Sequence, residues 1–242
     1  MTRKILSILI SAVMVFALAA PTLVVAEYIP IAPLVGSSGA TIDMSDSAPP
    51  AIGTGWTFAN NVYTILDGAN VTVIGDNQLP TASLRRIWIE DDAVANVTLN
   101  GVNIELTQHS PIDLSYGANL TLTLATGSIN TLIAVSSAAG IRAPGNTALT
   151  INGTGTLNAQ GGTNSAGIGG NLQNSGGNIV IYSGTIIARA ISGAGIGGGN
   201  NGGSGGNITI NGGNITTHGG LGAGIGGGGG GSYCGMGNAR RK

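Results

Sequence analysis

Glu90, Asp91 and Asp92 form the one dense acidic cluster of this 242-residue chain, just downstream of Arg85 and Arg86. Two carboxylates facing a scissile bond are what glycosidic hydrolysis uses, one as acid and the other as base or nucleophile. On an extended segment only Glu90 and Asp92 share a face, and the plainer reading of the three is a solvated corner. Calcium-assisted cleavage of a polysaccharide would need several more oxygen ligands beside a basic group. Only Glu105 and Asp113 follow, too few and too scattered to complete such a site. No catalytic residue is therefore assigned.

The other chemistry-bearing residues are isolated. His109 and His218 have no Cys or second His at ligand spacing, so no zinc or other metal site is expected. Cys234 is the single cysteine and cannot close an internal disulfide. Gly195-x-Gly197 lacks the strand-then-helix context of a dinucleotide loop, and no cofactor is expected. The glycine-rich half carries no Asp of the kind a calcium-roll nonapeptide repeats. Asn-x-Thr triplets at Asn70, Asn96, Asn119, Asn152, Asn207 and Asn214 match glycan acceptors, but strand entry and turn formation explain them more simply. Trp88, Tyr116 and Tyr182 are the aromatic rings placed to stack on sugars, if they are not core or edge fillers.

A repeat must position all of these. Ala-Gly-Ile-Gly-Gly occurs at 166–170, 194–198 and 223–227, with a shorter Ala-Gly-Ile at 139–141. The glycines Gly140, Gly167, Gly195 and Gly224 are 27, 28 and 29 residues apart. Units of that length stack into solenoids in which each covers only its neighbours. Apolar-x-apolar pairs keep the same step: Val71/Val73, Val97/Leu99, Leu120/Leu122, Leu149/Ile151, Ile179/Ile181 and Ile208/Ile210. Period-two alternation turns both apolar residues inward and leaves Thr outside. Asn stands before the pair at Asn70, Asn96, Asn119, Asn178 and Asn207, where it suits left-handed backbone angles and stacked amide ladders. A further apolar position follows at Ile104, Ile129, Leu157, Ile186 and Ile215. Strand, turn, strand and the Ala-Gly-Ile segment make three sides of one coil.

The expected fold is all-β: a right-handed parallel β-helix, because parallel crossovers take that hand. About seven coils between Trp56 and Gly231 would stack over roughly 30–35 Å at ~4.8 Å each. Glycine supports the reading, with 29 of 44 lying between Gly161 and Gly231. Runs such as Gly197 to Gly203 are expected at coil corners, and a helix there is excluded by glycine content and by the lack of a 3.6-residue apolar stripe.

The ends follow other rules. Arg3 and Lys4, the uncharged apolar run Ile5 to Ala20, and small residues Val24 and Ala26 read as a signal peptide over 1–26, cleaved after Ala26. The apolar run is shorter than the ~20 residues that span a bilayer, so no stable membrane span is expected once it is cleaved. Residues 27–55 carry four prolines and no repeat phase, and read as an extended lead-in partly covering the first coil. Residues 232–242 read as an irregular tail, and the missing capping coil suggests a truncated array. Without Arg3 and Lys4 the chain has seven basic against ten acidic residues, about −3 net. Nucleic acid is not an expected partner of so acid-leaning a surface.

Gly55-Trp56-Thr57-Phe58 through Ile65-Leu66-Asp67-Gly68-Ala69-Asn70-Val71-Thr72-Val73 resembles the opening of secreted bacterial parallel β-helix repeat proteins. Gly153-Thr154-Gly155-Thr156-Leu157, the Ala-Gly-Ile-Gly-Gly copies and Gly206-Asn207-Ile208-Thr209-Ile210-Asn211-Gly212-Gly213 resemble their repeats. The resemblance spans about 56–231 and departs from the pattern in lacking attachment modules. It implies a glycine-rich, adhesin-like, secreted or cell-surface protein that binds polysaccharide or surface glycan without turning it over. The alternative is a polysaccharide lyase or hydrolase of the β-helix type centred on Glu90–Asp92. A third reading, ice or crystal binding, needs Thr-x-Thr on successive coils, and the clear example is Thr121-Leu122-Thr123.

Overall fold

Short apolar-x-apolar segments separated by turn residues cannot bury a face alone, and here they do so by stacking. The computed structural model describes residues 40–75 and 84–230, with the backbone of 238–241, within the unit Pro33–Lys242. The signal peptide, residues 27–39 of the lead-in, and Cys234 lie outside the described residues. Every regular element among the described residues is a β-strand. They form three sheets, parallel except at one end, around one apolar interior, a β-solenoid of about six turns.

Sheet 1 runs in the order Ala40–Asp43, Asn70–Ile74, Val94–Asn100, Asn119–Leu124, Ala148–Gly153, Asn178–Ile181, Asn207–Ile210 and Asn238–Arg241. Sheet 2 stacks Asn103–Leu106, Ile129–Ala134, Thr156–Gln160, Thr185–Arg189 and Asn214–His218. Sheet 3 continues from Val62–Ile65 through Arg86–Ile89, Ile112–Leu114, Ile141–Arg142 and Ile168–Gly169 to Ile196–Gly197 and Ile225–Gly226. The Ala-Gly-Ile motif thus supplies the third side. Its isoleucines extend one column, Tyr63–Ile87–Ile112–Ile141–Ile168–Ile196–Ile225, each residue the register partner of the next.

Trp56–Ala59 is not a coil. It pairs antiparallel with Val62–Ile65, so the parallel stack of sheet 3 starts at Val62. This hairpin brings aromatic side chains together at the amino-terminal end of the stack. Trp56 meets Tyr63 edge-on at 5.3 Å, Phe58 meets it at 4.5 Å, and the Arg85 guanidinium lies 5.4 Å over the Phe58 ring. Burial raises the Tyr63 phenol above its ordinary range.

Register corrects the sequence alignment in sheet 1. Val97 and Leu99 face Leu122 and Leu124, not Leu120 and Leu122, while Leu120 faces Ala95. Asn70–Ile74 and Val94–Asn100 are therefore offset by two residues from the simple alignment. An even offset preserves inside and outside, so the paired apolar residues still point inward, while Val94 stays outward. The expected Asn ladder breaks at the same place: Asn70 and Asn96 pair, but Asn96 then faces Thr121. None of the five strand-entry asparagines has a positive φ; those that do are Asn60, Asn61, Asn164 and Asn201.

In sheet 2, Ile129 points outward and Asn130 takes the inward column with Leu157, Ile186 and Ile215. Glycine placement also differs. Gly197 is not at a corner but in the ladder of sheet 3, between Gly169 and Gly226, with all three near φ +135°.

A candidate ligand groove

The chain passes from sheet 3 to sheet 1 by four-residue turns that stack on one another. Their closing hydrogen bonds run from Ala69 N to Leu66 O, Ala93 N to Glu90 O, Ala118 N to Ser115 O and Thr147 N to Pro144 O, at 2.9–3.2 Å. In the first three turns the third position has a positive φ, with Gly68, Asp92 and Gly117 at 71°, 56° and 71°. Asp fits because its short polar side chain tolerates left-handed angles better than most residues.

Glu90, Asp91 and Asp92 occupy one such turn and are all exposed. They are not on a strand, so the alternation argument that paired Glu90 with Asp92 does not apply. Asp92 N donates to Tyr116 O at 2.7 Å, and Asp91 Oδ1 accepts a short hydrogen bond from Ser115 Oγ. Acid and neighbouring turn are thus tied together along the stack. The preceding turn does the same: Asp67 Oδ1 accepts from Val94 N at 2.8 Å.

Beside these turns lies an open polar concavity of about 700 Å³ lined by Asp91, Tyr116, Arg142, Asn146, Gln173 and Asn174, among others. The Tyr116 side chain is 70% exposed there. The outer face of sheet 3 adjoins it. Trp88, Asp113 and Arg142 are consecutive register partners across three coils. Arg142 Nη1 donates to Asp113 Oδ1 at 2.7 Å, and Arg86 Nη1 reaches Asp113 Oδ2 at 3.3 Å. One carboxylate therefore holds two guanidiniums, and Arg142 is fixed where it enters the groove.

Sequence reasoning set Asp113 aside as scattered. Its separation from Arg142, 29 residues, and from Arg86, 27 residues, is the repeat period, and that coincidence is the signal that would have paired them. Asp113→Ala is expected to lower stability by up to about 1 kcal/mol, because the pair is partly exposed. The difference should shrink at high salt, and thermal melts at two ionic strengths measure it.

The remaining candidates are dispersed. Tyr182 is 56% exposed where the chain leaves sheet 1, and it does not line the groove. His109, His218 and Glu105 are exposed. Among the described residues no three His, Cys, Asp or Glu side chains gather where they could hold a metal ion, and no helix is long and apolar enough to cross a membrane. Compared with family models, with curated proteins and with solved structures, the chain finds no match.

Proposed function

We propose that the chain is an exported, non-enzymatic cell-surface protein that binds polysaccharide through the groove at Tyr116. The observation that carries this reading is the exposed Tyr116 ring beside Asp91 and Arg142, each held by a partner, and the amides of Asn146, Gln173 and Asn174. Sugars present apolar C–H faces and rims of hydroxyls. An aromatic face with planar polar groups around it matches both. Trp88, one strand from Asp113 on the adjoining face, would extend the contact along a chain of sugars.

Turnover is the weaker reading. Asp91 is engaged by Ser115 and Asp113 by two arginines, whereas paired acid catalysis calls for two carboxylates free to face one bond. Export rests on the amino-terminal sequence, and the mature protein should begin at Glu27 when the secreted material is sequenced.

The test is binding of the full secreted chain to a panel of acidic and neutral polysaccharides by affinity electrophoresis. Tyr116→Ala is expected to weaken retention about tenfold, roughly 1.4 kcal/mol, with an unchanged melting temperature. Equal retention of wild type and variant would count against the groove. Release of reducing ends by the wild type, lost in Asp91→Asn, would replace binding with hydrolysis.

A further inference from the structure

The two-residue offset in sheet 1 has a consequence on its outer face. With Val97 facing Leu122, Thr98 faces Thr123. Thr98 also faces Thr72, and Thr72 faces Thr41. Thr41, Thr72, Thr98 and Thr123 therefore stand in one column on four successive strands, continued by Asn152. The neighbouring outward column reads Asn70, Asn96, Thr121 and Thr150. Aligned by apolar pairs, the sequence shows Thr-x-Thr only once; aligned by register, it shows a two-column array of hydroxyls and amides.

The array has three physical properties. It is solvent-accessible along its length, with Thr41, Asn70 and Asn96 exposed and the other members partly buried. Its two columns carry no charged residue, and Asp43 stands outside them at the end of the first strand, so across Thr72, Thr98 and Thr123 no charge favours a counter-ion over a neutral partner. It is also periodic in two directions: neighbouring strands repeat at ~4.8 Å, and residues two apart on a strand at about 6.6 Å. A partner that matches such a surface must itself be neutral, rigid and periodic in two dimensions. The oxygen atoms on a prism face of hexagonal ice recur at spacings within an ångström of both. Threonine suits that partner, because its hydroxyl joins a water network while its methyl group, held in a preferred χ1 rotamer, fills the space between waters.

We propose that the Thr/Asn face of sheet 1 is an ice-binding surface, separate from the groove at Tyr116. The face is built from backbone register, and its ligand is the lattice of water itself. This inference does not depend on polysaccharide binding, since the two surfaces share no residue.

The experiment is partition of the full chain into a slowly grown ice hemisphere, with growth-habit and recrystallisation assays on the same samples. Wild type is expected to enrich in ice and to shape crystals. Thr98→Lys, which places a long charged side chain mid-column, is expected to lose both. Thr123→Tyr should do the same by bulk alone. Thr216→Lys, at an exposed position of sheet 2, should behave as wild type, as should Tyr116→Ala. Circular dichroism shows that each variant is folded. Exclusion of the wild type from ice would overturn the proposal, as would equal loss in Thr98→Lys and Thr216→Lys. Retention on a crystalline polysaccharide that depends on Thr98, without ice partition, would also overturn it and assign the face to that solid instead.

Discussion

Gly197→Ala is expected to destabilise the solenoid by about 3 kcal/mol or more, through one methyl group. Gly197 holds φ near +134° in the ladder of sheet 3, a region that costs an L-residue on the order of 1–3 kcal/mol. The added Cβ would also fall on the carbonyl oxygen of Gly226 in the next coil. That oxygen has no room to retreat, because it already accepts from Gly198 N at 2.9 Å. The same overlap recurs one coil earlier, between Gly169 and the carbonyl of Gly197. Separating the coils to relieve it would stretch hydrogen bonds in all three sheets at once. For a domain of this size the loss corresponds to a fall in melting temperature of roughly 6–12 °C. Gly127→Ala is the control: its φ is +75°, but a Cβ there meets nothing within 4 Å. It should cost only the conformational term, about 1 kcal/mol, and Gly127→Asn less still. Equal shifts for Gly197→Ala and Gly127→Ala would mean that backbone approach between coils is not what selects glycine in the Ala-Gly-Ile-Gly-Gly motif.

That contrast also marks how far the sequence could be read. Recurrent Ala-Gly-Ile and the apolar pairs were enough to reach three-sided parallel coils, because period-two burial and a near-constant repeat length leave few other ways to bury those side chains. Which residue of one coil meets which residue of the next was not legible. An offset of two leaves the hydrophobic pattern unchanged, so nothing in a single sequence penalises aligning Val97 with Leu120 instead of Leu122. The Thr column was hidden for that reason. Gly197 was misplaced for a related one: glycine is selected by turns and by close approach alike, and only the neighbouring backbone tells them apart. The groove was half legible. Tyr116 and the acidic turn stood out by residue type. Arg142 and Asp113 did not, because their meaning lies in being one coil apart, and Asn146, Gln173 and Asn174 are ordinary loop residues until the stack sets them side by side.

Asn130 is the polar residue on which the coil corner depends, and its replacement by leucine is the second large effect expected. Its apolar neighbour Ile129 fitted the sequence pattern better, yet Ile129 is 50% exposed and Asn130 is fully buried. The amide satisfies four partners. Oδ1 accepts from Gly101 N at 3.0 Å and Val102 N at 3.1 Å; Nδ2 donates to Ser128 Oγ at 2.9 Å and Thr156 O at 3.1 Å. It thereby ties the turn of the coil before to the strand of the coil after. Ser128 completes the network by donating to Ala125 O at 2.7 Å across its own turn. Leucine matches the column formed by Leu157, Ile186 and Ile215 and has the same branched skeleton, so hydrophobic patterning alone would favour it. Against that, two backbone N–H groups would be left without their acceptor, each at about 1–3 kcal/mol when buried. The net expectation is a loss of roughly 2–5 kcal/mol, seen as a lower urea midpoint with an unchanged slope. Ile129→Thr, at the outward position, should move the midpoint by no more than about 0.5 kcal/mol. Pattern-matching from sequence ranks these two substitutions the other way round, so a single pair of denaturation curves decides between hydrophobic alignment and hydrogen-bond satisfaction as the force that sets this corner. A stable Asn130→Leu protein beside a weakened Ile129→Thr would reverse the assignment of inside and outside at the start of sheet 2.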